Sequence, residues 1–315
     1  MNEDHKKKYQ AGMAQLDFKP DFDWNKKETE ELYHNAEFDI NVDHIDYQNC
    51  IKGMKNLPDS SIDLVIADPP FGIDFDKIGS QYNRDEKFVV EGYNEVEMDY
   101  DQFTLNWIKE LPRIMKNTGS AYIFSGWTNL LDVLMAIKKT DLTLVNHIIW
   151  KYQFGVFTRK KFVTSHYHIL FLVKDGDQYF FNKIIHYPED VWELPRKYRP
   201  GQRKNSTKLP EKVVTRCIDF SSKPGDLILD PFMGNGTTAV CAKGNYRHFY
   251  GFEMNENLKE IIEENLQSVS VGQFYKPYIT YKPSPEELAE KYPAVRRYLE
   301  KRKREEGHKN LTEFL

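Results

Sequence analysis

Ile228-Leu229-Asp230-Pro231-Phe232-Met233-Gly234-Asn235-Gly236-Thr237-Thr238 runs from an apolar stretch through a glycine-rich turn into a segment with helical character over 237–243. Glycines in such a turn permit positive φ and let a ligand come close to the backbone. The first amides of the following helix are left free to meet an anionic group. About twenty residues further on, Tyr250-Gly251-Phe252 reads as a second short strand that ends in Glu253, the place where an acid can hold a ribose diol. The spacing lacks the third glycine of the dinucleotide fingerprint, which counts against a nicotinamide enzyme. An apolar strand, a tight turn, a helix and a second strand together predict an open, mostly parallel α/β sheet.

Upstream, Ala67-Asp68-Pro69-Pro70-Phe71-Gly72 follows the nearly continuous apolar run 62–67, as expected of a buried parallel strand. The prolines stop that strand, since they supply no ladder donor and hold their predecessors extended. In an open α/β sheet, ligands sit beyond the carboxyl ends of the strands, so Asp68 is a candidate site acid. A capping aspartate in a turn is the plainer alternative.

The rest of the chain keeps the same rhythm. Helices are expected near 28–35, 101–116, 130–138, 210–218, 237–243, 257–265 and 285–303. Strands are expected over 62–67, 121–124, 144–150, 167–173, 227–229 and 249–252, with 71–100 a long loop and 175–207 irregular. This gives an N-terminal extension (1–40), a catalytic part (41–174), a target-recognition segment (175–207), a cofactor-binding part (208–270) and a charged helical tail (271–315).

The sequence has 315 residues and a net charge of −4; 40% of residues are hydrophobic and 29% charged, which fits a folded globular protein rather than a disordered one. No apolar run approaches the roughly 20 residues of a membrane span. The first residues lack the apolar stretch of a secretory signal, so a cytoplasmic protein is expected. Cys50, Cys217 and Cys241 form no C-x-x-C pair, so neither a disulfide framework nor a cysteine zinc site is expected. His166 and His168 alternate on one strand face, but without a third ligand nearby no metal is expected. The methionines are scattered and read as packing.

Charge is unevenly distributed. Residues 142–174 contain no acid but carry Lys151, Arg159, Lys160, Lys161 and Lys174, while 195–208 is acid-free with Arg196, Lys197, Arg199, Arg203, Lys204 and Lys208. Trp150, Tyr152, Phe154, Phe157 and Tyr198 lie among them, a pattern suited to phosphate contact and base stacking. Segment 74–101 holds nine acids and should lie away from phosphates.

The two motifs together resemble the S-adenosylmethionine-dependent amino-methyltransferases of DNA, whose catalytic and cofactor signatures match Asp68-Pro69-Pro70-Phe71 and the string from Asp230 to Thr238. With the catalytic motif first, the order resembles the circularly permuted β-type of that family. The similarity extends to Leu57-Pro58-Asp59-Ser60-Ser61-Ile62-Asp63 and to Lys223-Pro224-Gly225-Asp226, and covers approximately residues 45–266. It implies a Rossmann-like methyltransferase fold with helices on both faces of a mostly parallel, twisted sheet. It also implies S-adenosylmethionine as cofactor, double-stranded DNA as partner, a homodimer and a cognate restriction enzyme. Two positions depart from the family: Gln48-Asn49-Cys50 stands where Gly-Asp-Cys is frequent, and Lys208-Leu209-Pro210 where Gln-Lys-Pro is common.

Carried over residue by residue, the resemblance makes Asp68, Pro69, Pro70 and Phe71 catalytic. The carboxylate of Asp68 and the carbonyl of Pro69 would accept the two N–H groups of an exocyclic amine, with Phe71 stacking on a flipped base. Asn49, Lys208, Asp230, Phe232, Gly234, Asn235, Gly236, Thr237, Thr238 and Glu253, with Asp68, would bind the cofactor. Thr237 and Thr238 would face the methionine carboxylate, and Glu253 the ribose. Arg159, Lys160, Lys161, Arg196, Arg199 and Arg203 are candidates for DNA contact. Asp rather than Ser before Pro-Pro points to adenine N6. Cytosine N4, an RNA amine and a catalytically silent nucleic-acid-binding partner are the alternatives.

Overall fold

A computed structural model describes residues 19–70, 100–153, 159–160, 162–195, 209–277 and 283–312, with side chains described to residue 304. The chain divides into two units, one of Lys27–Phe181 and Asp190–Tyr275, the other of Met1–Lys26, Asn182–Glu189 and Lys276–Leu315.

The larger unit is built on one eight-stranded sheet: β1 (His44–Asp46), β2 (Ile62–Ala67), β3 (Met115–Ser125), β4 (Thr143–Lys151), β5 (His166–Val173), β6 (Val191–Glu193), β7 (Leu227–Asp230) and β8 (His248–Phe252). Its order is β1-β8-β7-β2-β3-β5-β4-β6. Every pairing is parallel except those of β5, which runs against β3 and β4. The expected mostly parallel α/β architecture is present.

Helices α1 (Lys26–His34), α2 (Cys50–Gly53), α3 (Tyr100–Ile108), α4 (Leu111–Ile114), α5 (Leu130–Ile137), α6 (Glu211–Ser221), α7 (Thr237–Gly244) and α8 (Lys259–Gln267) connect the strands. Alternation along the strands divides the core between the two faces. Val65, Ala67, Ala121, Ile123, Leu170, Leu172, Leu227 and Leu229 share one buried cluster with Trp107, Ile108, Val133 and Ala136 of α3 and α5. Leu64, Ile66, Tyr122, Phe124, Ile169, Phe171 and Ile228 share the other with Val213, Cys217, Ala239, Ala242 and Ile262 of α6, α7 and α8. A sheet covered on both faces tolerates strands that are apolar throughout, which is why β2 is buried at every position.

At the amino edge of the sheet, Asp63 accepts from the Leu227 amide at 3.0 Å and from Lys116 Nζ at 2.8 Å. This pins β2 to β7 across 164 residues of chain. The three cysteines are free and buried, as expected.

Several expectations need correction. The helix expected over 101–116 ends at Ile108, and after the short α4 the chain is already extended at Met115. Two strands went unread: β1, three residues long with only Ile45 buried, and β6, which lies inside the segment expected to be irregular. In the smaller unit the single tail helix is two, α9 (Pro285–Lys291) and α10 (Pro293–Thr312). Pro293 holds Tyr292 at φ −122, ψ 105, outside the helical region. Ser284 opens α9 with a capping box, its side chain accepting from Glu287 N while Glu287 accepts from Ser284 N. Among the described residues, no helix is long and apolar enough to cross a membrane.

Candidate active site

The two motifs lie at the carboxyl ends of neighbouring strands. Val65 of β2 pairs with Leu229 of β7. Three residues beyond each, Asp68 and Phe232 therefore leave the sheet at the same level. Asp230 of β7 pairs with Gly251 of β8, which brings Glu253 to that level too. Asp46 of β1 pairs with Phe252, and its carbonyl accepts from the Glu253 amide at 3.0 Å. Four strand tips thus stand in a row, β2-β7-β8-β1. With parallel strands about 4.8 Å apart, the row spans roughly 14 Å.

The β7 turn is fixed from both sides. Met233 N donates to Phe252 O at 2.8 Å, and Gly236 N to Met233 O at 2.9 Å. Gly234 and Gly236 sit at φ +52 and +79, where side chains other than glycine are strained. A Cβ on Gly234 would have Phe232 O, at 3.9 Å, as its nearest neighbour, so the turn is open there; one on Gly236 would meet Ile262 Cγ2 of α8 at 3.0 Å. Glu253 reaches across from β8: one carboxylate oxygen accepts from Gly234 N at 2.7 Å and the other from Asn255 N at 2.7 Å. Burial raises the Glu253 pKa, against the lowering effect of these amides.

Asp230 is buried below the turn, accepting from Phe232 N at 2.9 Å and hydrogen-bonded by the Thr238 side chain. Burial pushes its pKa up to about 7. Thr237 is also buried, and the Asn235 carbonyl accepts from Asn265 Nδ2 at 2.9 Å. Phe232 is half-buried, edge-on to Trp107 at 5.3 Å and 6.0 Å from Phe103. It therefore both packs against the core and walls the turn.

At the β1 tip, Asn49 is the N-cap of α2, its Oδ1 accepting from Ile51 N at 2.8 Å. Asp46 accepts from Tyr250 Oη at 2.6 Å and Gln48 Nε2 at 3.0 Å, and faces His44 Nε2 at 3.0 Å. Burial alone would raise its pKa; these hydrogen bonds, with the nearby His44, bring it below the usual carboxylate value.

Asp68, Asp230, Phe232, Gly234, Asn235, Gly236, Thr237, Thr238, Glu253 and Asn49 thus gather at one edge of the sheet, with Asp68 half-buried, Pro69 buried and Pro70 half-buried. Phe71, Lys161, Arg196, Arg199, Arg203 and Lys208 lie outside the described residues, as do Phe154, Phe157 and Tyr198. Arg159 and Lys160 are exposed. The stacking expected of Trp150 and Tyr152 is corrected. Both are buried in the core, and the Trp150 indole donates to Leu194 O at 2.8 Å. Alternation with Lys151 turns them inward.

His147 Nε2 and His168 Nδ1 lie 2.8 Å apart. Burial, then the neighbouring His147 and His166, lowers His168 to about 4. No group of three metal-ligating residues occurs among the described residues. The scattered-methionine reading missed Met254. It is 60% exposed directly after Glu253, an apolar surface beside the acid. Its position one residue past a strand-ending acid was the available signal.

The family model described as DNA methylase, of the N6/N4 type, matches residues 62–264. The chain is 30% identical over 242 residues to the type II methyltransferase M.HinfI of Haemophilus influenzae, covering 70% of this chain and 67% of the relative. It is 30% identical over 275 residues to the DNA adenine methyltransferase YhdJ of Escherichia coli (strain K12), covering 76% and 84%. Among solved structures, the M1.HpyAVI–SAM complex superposes with a TM-score of 0.52 at 20% identity, covering 71% of this chain and 98% of that one. The cytosine-N4-specific PvuII DNA methyltransferase superposes with a TM-score of 0.54 at 16% identity, covering 76% and 100%. At these identities the two structures speak for the fold.

Proposed function

The chain belongs to the DNA methylase family of the N6/N4 type, and on that premise we propose that its cleft transfers a methyl group from S-adenosylmethionine to the N6 amine of an adenine flipped out of double-stranded DNA. The observation that carries this reading is the register of β2 on β7, which puts Asp68 level with the glycine turn.

The residues present suit the cofactor. The open, positive-φ turn at Gly234 and the Glu253 carboxylate beside it match a methionine end and a ribose. The exposed thioether of Met254 offers an apolar face to a base. When bound, the cofactor supplies an electrophilic methyl on a sulfonium. Each Glu253 oxygen keeps a second lone pair after accepting its backbone amide, enough for a ribose hydroxyl.

Asp68 and the Pro69 carbonyl accept the two N–H groups of the target amine. This fixes the amine and directs its lone pair towards the turn, drawing it out of conjugation with the ring. The nitrogen–carbon bond forms as the carbon–sulfur bond breaks, and the amine's surplus proton leaves by way of Asp68 or solvent. Rate enhancement comes from positioning and from acceptors already in place. Pro69 and Pro70 lock φ and hold those acceptors aimed.

An aspartate before Pro-Pro, together with the similarity to an adenine methyltransferase, favours adenine over cytosine. Residues 175–207 and the exposed Arg159 and Lys160 supply DNA contact in this reading. A homodimer, a cytoplasmic setting and a cognate restriction enzyme complete it. The test is nucleoside digestion of treated DNA followed by mass spectrometry. N6-methyladenine is expected, N4-methylcytosine would transfer the same chemistry to the other base, and neither product would overturn the proposal.

A further inference from the structure

We infer that Asn49 selects the base of the cofactor as a hydrogen-bond donor, reading adenine N1 rather than its N6 amine. The inference rests on the S-adenosylmethionine reading above and assigns the far end of the cleft. The order of strand tips sets the layout. With the methionine end at the β7 turn and the ribose at Glu253 on β8, the base is carried towards the β1 tip. The edge of adenine farthest from its ribose, with N1 and the N6 amine, then meets residues 46–49.

The polarity of that tip is settled by hydrogen bonds within the protein. Ile51 N, 2.8 Å from Asn49, is a donor and so must face the amide oxygen. The Asn49 Nδ2 group is therefore turned outward, and it is donor-only. The neighbouring carboxylate does not compensate, because Asp46 is engaged by Tyr250, Gln48 and His44. Both oxygens of Glu253 already accept backbone amides, and Glu253 stands one strand away, at the ribose. A ligand edge arriving at Asn49 must offer an acceptor, and on that edge of adenine the acceptor is N1.

An aspartate at this position would cap α2 as well as asparagine does. It would present an acceptor outward instead, suited to the N6 amine. One isosteric change thus inverts which atom of the base is read while leaving the fold in place.

The experiment is calorimetric binding of S-adenosylhomocysteine and two analogues to the wild-type chain and to Asn49→Asp. The 1-deaza analogue lacks the N1 acceptor, and the 6-desamino analogue lacks the amine. Loss of one hydrogen bond weakens binding roughly fivefold. The wild type is expected to lose about that much with the 1-deaza analogue and less than about twofold with the 6-desamino analogue. Asn49→Asp is expected to reverse the order. A wild type that binds the parent compound but penalises loss of the amine more than loss of N1 would overturn the inference and leave the cofactor reading standing. Failure of the wild type to bind the parent compound at all would overturn the cofactor reading itself. The wild-type comparison alone decides the matter if the variant fails to fold.

Discussion

Glu253→Gln tests how the cofactor turn is held. The two Glu253 oxygens accept from Gly234 N and Asn255 N, each at 2.7 Å. Glutamine has a single acceptor oxygen, so its NH2 must face one of these two N–H donors. The variant loses one charge-assisted hydrogen bond in a largely buried setting, worth about 1.5–3 kcal/mol. A loss of about 2 kcal/mol corresponds to a melting temperature lower by about 4–8 °C for a domain of this size class. Thermal unfolding of the cofactor-free protein, followed by circular dichroism, reads this directly. Glu256→Gln, at an exposed carboxylate three residues away, serves as the control and should change stability by less than about 0.5 kcal/mol. If Glu253→Gln melts within about 1 °C of the wild type, the carboxylate does not organise the turn and the reasoning fails.

Gly236→Ala forces a side chain into φ +79 with its Cβ 3.0 Å from Ile262 Cγ2. It should lower stability by about 1–2 kcal/mol, seen as an earlier urea midpoint, together with weaker S-adenosylhomocysteine binding. Asp230 carries a folded-state pKa of about 7 against an ordinary value of 3.8. Between these values the folded protein holds a proton that the unfolded chain has released, so stability falls as pH rises through that window, by up to about 1.4 kcal/mol per pH unit. Asp230→Asn removes this proton while keeping an acceptor for Phe232 N. The variant should therefore gain stability relative to the wild type as pH rises from about 4 to 7, and melting curves that differ by a constant amount across that range would contradict it.

The parts of the fold legible in the sequence are those where one local signal dominates. β2 is apolar along its whole length and closed by Pro-Pro, and β7 runs directly into paired glycines, so both strands and their ligand-facing ends could be read. β1 and β6 could not: each is three residues long with one buried side chain, and each exists because a neighbouring strand offers a register. The helix expected over 101–116 ran too far because Leu111, Ile114 and Met115 are apolar at helical spacing but serve α4 and the start of β3. The glycine turn and Glu253 were readable as a ribose-binding pair. Their direct hydrogen bond was not, because it depends on the β7–β8 register. The same holds for Asn49, whose residue type was visible but whose outward-facing atom is decided by the Ile51 amide.

The claim on which the rest depends is that Asp68 acts on the target amine while the neighbouring turn holds the methyl donor. Asp68→Ala measures this directly, by binding of S-adenosylhomocysteine alongside methyl transfer to DNA. The account predicts cofactor affinity within about twofold of the wild type and transfer reduced by at least about three orders of magnitude. Transfer that survives in Asp68→Ala at near wild-type rate would contradict it.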